Sequence, residues 1–277
     1  MIGAIALAAA LTLTPTARAM QPGELVIMSV TSPTPLTVVK ARAFNTDIVG
    51  FPDDPQHWRV LIGIDLDATL GKHTVTVSAM SAAGPIEATY ILTVIAKKFA
   101  TRTLTVDPNF VNPPAAVQPR INADAKEQQA IWAAPAPERL WSTPFVRPVP
   151  QEANSAFGTR SVFNGQPRGS HTGADFLSPA GQPITAPNAG RVVLAKDLYY
   201  SGNTVIIDHG LGVFSFLCHM SKINVAPGDM ITPGQIVGLV GATGRVTGAH
   251  LHWTLRVSGA RVDPLALLAL LGKSSPR

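Results

Sequence analysis

The feature that most constrains this chain is how briefly its apolar runs last. GELVIMSV, PLTVVKARAF, HWRVLIGIDL, HTVTVSAM and ATYILTVIA follow one another between residues 23 and 98, with breaks of proline, glycine, aspartate and serine between them. Runs this short, rich in Val, Ile and Thr, specify strands rather than helices. Their spacing predicts a small antiparallel sandwich of immunoglobulin type over residues 20–98. The rhythm returns further on: RVVLA, NTVIID, VFSFLCHM and HLHWTLRV stand between the turn sequences PNAG, Asn164-Gly165, DHGLG and VGATG. A second β domain is predicted over residues 151–277, with PLALLALLG as a short apolar helix or turn packed on its sheet. The fold class is therefore all-β.

Residues 99–150 differ in character. FATRTLTVDPNFVNPP is extended and proline-bounded, NADAKEQQAIWA predicts a short helix from about Ala123, and APAPERLWSTPFVRPVP is a proline-rich connection. This stretch reads as a linker with some structure. The alternative is that it packs along the following domain and shapes or covers a groove there.

Composition narrows the function classes. In 277 residues, 46% hydrophobic with 14% charged describes a folded chain with room for two cores. The formal charge of +5 comes without a lysine or arginine run or an interleaved aromatic platform, so no nucleic-acid partner is expected. Such a charge fits attraction to a polyanionic envelope, and equally fits plain solubility. The single cysteine, Cys218, excludes an intramolecular disulfide. It neighbours His219, but adjacent strand residues face opposite ways, so Cys218 is read as a buried strand residue and not as half of a Cys-His pair.

The first nineteen residues, MIGAIALAAALTLTPTARA, hold an apolar run followed by Ala17-Arg18-Ala19, an A-x-A cleavage signature before Met20. Residues 1–19 are thus expected to be a signal peptide, although the usual positive n-region is missing. The protein is expected in the periplasm or cell envelope, membrane-anchored if the leader is retained. No stretch approaches the roughly 20 apolar residues of a membrane-spanning helix, so none is expected in the mature chain.

Five of the seven histidines fall in the second domain. In TGRVTGAHLHWTLR, His250 and His252 stand two apart in a strand-like run, which puts both imidazoles on one face. In SHTGADF, His171 and Asp175 stand four apart, so a strand carrying them also shows both on one face. LCHMS supplies His219. His209 in the DHG turn and Asn164 in the NG turn are accounted for by turn chemistry, and His57 and His73 sit on separate strands without a cluster. The remaining set suits zinc chemistry. A catalytic zinc takes three ligands from His and Asp or Glu and keeps an open position for water. It lowers the pKa of that water from about 15.7 towards 7 and polarises the scissile carbonyl, while a neighbouring imidazole moves the proton or stabilises the oxyanion.

HTGAD at 171–175, CHM at 218–220 and GAHLHW at 248–253 together resemble the H-x-x-x-D, H and H-x-H pattern of the lysostaphin/LytM-type zinc endopeptidases. These enzymes cleave peptide cross-bridges or stem peptides of peptidoglycan. The resemblance covers about residues 150–265 and takes in FGTR at 157–160, IDHGLG at 207–212 and VAPGDMITPGQIVGLVGATGRVTG at 225–248. It implies a LytM-type antiparallel β domain, peptidoglycan peptides as substrate, and Zn2+ as cofactor with His171, Asp175 and His252 as ligands. By the same resemblance His219 and His250 become catalytic, and Arg160 of FGTR contacts a substrate carboxylate or forms a structural salt bridge. Leu217 departs from the tyrosine often found two positions before the histidine of the middle motif.

Two rival readings find less support in the residues. An inactive relative would be a wall-binding scaffold that activates another hydrolase, but such proteins lack ligands that this chain keeps. VAPGDMITPGQIVGLVG resembles the hairpins of biotinyl and lipoyl carriers, yet no lysine stands between Lys222 and Lys273 to be modified. H-E-x-x-H and G-x-S-x-G are both absent, which leaves thermolysin-like and serine-hydrolase mechanisms without support.

Overall fold

A computed structural model describes residues 10–155 and 157–272. Its amino-terminal unit is a two-sheet sandwich. Strands β1 (Thr12–Thr16), β2 (Leu25–Thr31), β3 (Leu36–Ala43), β4 (Thr46–Val49), β5 (Phe51–Pro52), β6 (His57–Gly63), β7 (Gly71–Ser81) and β8 (Gly84–Val94) form antiparallel sheets in the orders β1-β2-β6-β5 and β4-β3-β7-β8. Alternation decides which face is inside. In β7, Val75, Val77 and Ala79 are buried while Ser78 and Met80 are exposed, and the inner faces close over Val26, Met28, Val39 and Ile62. All five runs expected as strands are strands. The immunoglobulin type was the sequence expectation; the described architecture is an N-terminal β domain of two four-stranded sheets.

Residues 1–9 of the expected leader lie outside the described residues. Its second half belongs to the sandwich: β1 pairs with β2 from Thr12↔Thr31 to Thr16↔Ile27, and Leu11 is buried in the core. Arg18 donates to Glu24 at 2.8 Å and to Asp263 at 2.7 Å, joining this segment to the other end of the chain. The alternation in TLTPT serves a strand as well as it serves the tail of an apolar leader.

The stretch expected as a linker is built into the second unit. It contains β9 (Thr101–Leu104), α1 (Pro108–Val111) and α2 (Gln118–Ala133). The helix begins at Gln118 rather than near Ala123, because Pro119 sits in its first turn, where no N–H is needed. Residues 134–150 then run extended and bury Trp141, Phe145 and Val149 in the core of the following sheet. Prolines deny this segment a regular ladder, yet three apolar side chains and bonds such as Leu140 N–H to the His209 carbonyl, 2.9 Å, still hold it down.

The second unit continues with β10 (Ala153–Ser155), β11 (Arg160–Phe163), β12 (Gln166–Ser170), β13 (Gly173–Phe176), β14 (Pro183–Thr185), β15 (Gly190–Leu198), β16 (Gly202–Asp208), β17 (Val213–Ile223), β18 (Met230–Ile231), β19 (Ile236–Val240), β20 (Leu251–Val257), β21 (Ala260–Val262) and α3 (Pro264–Leu271). The main sheet runs β10-β13-β20-β17-β16-β15-β18, with β19 joining β14 to β17 and β21 flanking β20. One face packs Phe176, Leu217, Leu251 and Trp253 against α3 and the extended strap. On the other, Leu194, Ile206, Phe214 and Phe216 meet Ile131 and Trp132 of α2. Leu25, Ile27, Phe51 and Leu61 of the sandwich enter the same core as Trp253, and Arg261 of β21 pairs with Asp65 at 2.5 Å and Asp67 at 2.7 Å. No helix among the described residues is long and apolar enough to cross a membrane.

Candidate metal centre

Three neighbouring strands bring the cluster together. β20 pairs with β13 on one side, Asp175 opposite His252, and with β17 on the other, Cys218 opposite His252. Register alone therefore sets Asp175 beside His252. His171 lies just before β13 and not within it, so the expectation of one strand carrying both His171 and Asp175 is corrected. The chain leaves β12 at Ser170, His171 is fixed by bonds to the backbone of Thr159 and Gly158, and β13 begins at Gly173. That glycine is required by space: a Cβ there would meet the Trp253 carbonyl oxygen at 2.3 Å and His252 Nε2 at 2.8 Å.

Asp175 Oδ1 lies 2.9 Å from His171 Nε2 and 2.7 Å from His252 Nδ1, and the two nitrogens are 3.0 Å apart. These three atoms form the one group of potential metal donors found among the described residues. Their spacing is close to the edge, ~3.3 Å, of a tetrahedron with the ~2.0–2.1 Å bonds of zinc to histidine and carboxylate. His252 Nε2 sits 2.9 Å from Thr254 Oγ1. A proton held there on Nε2 leaves the Nδ1 lone pair for a metal, the usual arrangement behind a ligating imidazole. Burial works against a charge on Asp175, but its contacts with His171 and His252 outweigh that and hold its pKa well below the ordinary carboxylate value. Burial also lowers the pKa of His252. The donor set is one anionic oxygen and two imidazole nitrogens, which fits zinc.

His219 and His250 face the same space by different means. His250 precedes β20, bridged to Gly241; its Nδ1 donates to the Gly248 carbonyl at 2.9 Å, and Nε2 lies 3.7 Å from Asp175 Oδ1. His219 sits at a bulge in β17, where the pairing with β16 slips between Leu217↔Val205 and Met220↔Asn203. Its φ of +65° lies in the left-handed region, an uncommon conformation for a residue with a Cβ. Nδ1 donates to the Thr243 carbonyl at 2.9 Å, and the ring centroid is 4.8 Å from that of His250. Both imidazoles therefore spend their Nδ1 protons on backbone and keep Nε2 as an acceptor. Burial, reinforced by His252 and His250, pushes the His219 pKa down to about 3, so it is neutral near pH 7.

Cys218 is a buried strand residue, as expected, although the bulge changes the reason. Cys218 and His219 line one cleft, because the extra residue cancels the alternation that would have put them on opposite faces. The thiol is still no nucleophile, since burial, together with the Asp175 charge, raises its pKa well above the ordinary value. Leu217 is fully buried in the core beneath, opposite Trp253.

The cleft encloses about 300 Å³, with the histidine cluster as its floor. Arg102 of β9 and Ser161 and Phe163 of β11, neighbours in one small sheet, form a wall with Tyr200 and Arg245, and Gln128 and Trp132 of α2 form another. Arg102 Nη1 is 3.5 Å from Asp175 Oδ2. Arg160 is exposed and not among the lining residues; β11 turns Ser161 and Phe163 inward instead. His209 is fully buried between the Ala189 carbonyl and Ser215 Oγ, away from the cluster, and burial pushes its pKa down to about 4. Asn164, with φ of +50°, bonds both backbone groups of Val106 and so ties β11 to the segment after β9. His57 pairs with Asp54, and His73 Nε2 donates to the Thr69 carbonyl; both are remote. Sequence reasoning missed Thr254, which β alternation from His252 would have found. It also missed Thr243, Arg245 and the wall residues, for which no local pattern speaks.

The model of peptidase family M23 matches residues 169–264, a span that holds every residue of the cluster. A crystal structure from Pseudomonas aeruginosa, assigned to peptidase M23, superposes with a TM-score of 0.71 at 30% identity, covering 91% of this chain and 96% of that one. The chain belongs to peptidase family M23. Among the family's curated members, the peptidoglycan DD-endopeptidase ShyA of Vibrio cholerae is 40% identical over 107 residues, 39% of this chain and 25% of that protein. Lysostaphin of Staphylococcus simulans is 36% identical over 110 residues, 38% of this chain and 22% of its own length. This M23 chain thus spans about a quarter of the curated relatives that it matches.

Proposed function

We propose that this M23 chain is a zinc-dependent endopeptidase that hydrolyses peptide cross-links or stem peptides of bacterial peptidoglycan. The observation that carries the reading is the convergence of His171 Nε2, Asp175 Oδ1 and His252 Nδ1 within 3.0 Å of one another beside two further imidazoles. The curated relatives named as peptidoglycan endopeptidases support the substrate class.

His171, Asp175 and His252 would hold the metal. A zinc ion supplies Lewis acidity in such a site, activating water near neutral pH and polarising a carbonyl. His219 and His250 do the proton work. Each presents an Nε2 acceptor, fixed by the bond from its Nδ1 to backbone. Neutral His219 accepts at Nε2 a proton of the cleft water whose oxygen adds to the scissile carbonyl carbon, and the imidazolium so formed gives that proton to the amine nitrogen as the C–N bond breaks; His250, on the Asp175 side, offers a second Nε2 to the same water. The complete donor set is what separates this reading from that of a scaffold. Arg160, exposed outside the cleft, keeps at most a contact with an outlying part of a long substrate.

The protein is placed in the cell envelope, where its substrate is. Cleavage of the expected leader, residues 1–19, would take β1 and the Arg18 clamp away from the sandwich. N-terminal sequencing of the exported protein tests the leader: a first residue at Met20 is the result it requires, and a chain that keeps Thr12–Arg18 overturns that boundary.

Digestion of purified peptidoglycan, with mass analysis of the released fragments, tests the function. Peptide-bond cleavage that stops on chelation and returns with zinc is the expected result. Absence of fragments under zinc-replete conditions refutes the proposal.

A further inference from the structure

Cations dominate the charged lining of the cleft: Arg102, Arg245, Arg256 and Arg261 face a single carboxylate, Asp175. Three of the four are engaged. Arg261 is paired with Asp65 and Asp67, Arg102 approaches Asp175, and Arg256 donates to the Gly259 carbonyl while stacking on Trp132. Arg245 differs. Its guanidinium packs against two rings, 4.8 Å from the centroid of Phe163 and 4.9 Å from that of Tyr200. No carboxylate of the described residues pairs with it, and the nearby Arg168 carries the same sign.

The placement is built. Arg245 N–H donates to the Tyr200 carbonyl at 2.8 Å, and Gly244, with φ of +75°, packs so close that a Cβ there would meet Gly202 N at 2.4 Å. Tyr200 is backed by Tyr199 and Phe110, and Phe163 by Leu104, Val106 and Val111. Two residues before Arg245, the Thr243 carbonyl fixes His219. One loop therefore positions both a histidine of the floor and the cation of the wall. Aromatic rings packed against a guanidinium restrict its motion without using its N–H groups, which stay able to meet a planar acceptor. Burial lowers the Arg245 pKa, the mark of a cation that has given up water without gaining an anion.

We propose that Arg245 is the carboxylate receptor of this cleft, taking two oxygens of a peptide carboxylate on its guanidinium edge while the neighbouring peptide bond lies over the histidine cluster. This rests on the peptidase reading and deepens it. A bridge made of glycine carries no side-chain charge to offer Arg245, whereas stem peptides carry free carboxylates, so the substrate class is an acidic stem peptide.

The test is calorimetric titration of the zinc-loaded protein with a stem tetrapeptide as its free acid and with every carboxylate amidated. For the unaltered protein the free acid is expected to bind about tenfold or more tightly than the amide, the usual scale for a charge-assisted bidentate pair. In Arg245→Gln the ratio falls to about one, and Arg245→Lys, which keeps the charge without the fork, lies between and serves alone if the glutamine variant does not fold. A ratio near one in the unaltered protein overturns the proposal. So does a ratio that survives in the variants, since the carboxylate is then held by the metal or by another cation. Peptidoglycan digestion reads the other claim separately: binding selectivity without released fragments keeps the receptor and removes the peptidase.

Discussion

The floor and the wall of the cleft are built on opposite principles. The floor is three adjacent strands whose register fixes Asp175 and Cys218 opposite His252, with Trp253 and Leu217 fully buried beneath. The α2 wall is a polar helix with Asp124 as its one buried residue, joined to β15 by exposed pairs from Arg120 to Asp197 at 2.6 Å and Lys196 to Glu127 at 2.8 Å, and anchored by Trp132. Exposed pairs of this kind contribute about 0–1 kcal/mol each. Chemistry that needs fixed distances rests on the part that cannot shift without breaking the sheet; the part that meets a large substrate is held by contacts that open more readily.

The largest effect should follow from damage to the floor's donor set. Asp175→Ala removes the only anionic donor, so zinc content and turnover are expected to vanish together, read by elemental analysis and fragment release. Retained zinc would separate the cluster from metal binding. Next is His219→Ala, which should keep its zinc and lose about a hundredfold in kcat, the scale for one proton-transfer group. An unchanged kcat would remove His219 from the reaction.

How much of this was readable in the chain follows the same division. HLHWTLR announced a shared face because alternation is local; HTGAD brings its pair together through the turn before β13 and not along one strand, and the resemblance assigned the roles. The bulge at His219 was not readable: the slip in pairing with β16 belongs to two strands at once, and CHM looks like ordinary alternation. Nor was the fate of residues 99–150. Their prolines and polar helix say linker, while the contacts that make them wall and strap, Trp132 on Phe214 and Phe145 in the core, are made at long range. The half of the leader that forms β1 was hidden because a short apolar, threonine-rich run fits both an exported leader and an edge strand.

Smaller effects probe stability on each side. His209 beneath the sheet is buried and neutral, its pKa pushed down from 6.5 to about 4. The unfolded chain therefore takes up a proton first as pH falls. The contribution of His209 is complete above about pH 6.5 and is lost between there and about pH 4, roughly 3 kcal/mol in all. Urea unfolding across that range, compared with His209→Gln, should show a flatter profile for the variant; parallel profiles would contradict the burial argument. Smallest is Trp132→Ala, expected to destabilise α2 by about 1–3 kcal/mol, since its ring is only half buried. Hydrogen exchange should quicken in residues 118–133 and stay unchanged in β17 and β20. Equal quickening in floor and wall would erase the distinction between them.

The most direct test sets two histidines of one short motif against each other, His250→Ala and His252→Ala, with zinc stoichiometry and peptidoglycan turnover measured on both. The account predicts that His252→Ala loses metal and activity together, whereas His250→Ala keeps its zinc and loses turnover. Zinc retained at the normal level in His252→Ala, or lost from His250→Ala with turnover restored by added metal, would contradict the assignment of ligand and proton carrier.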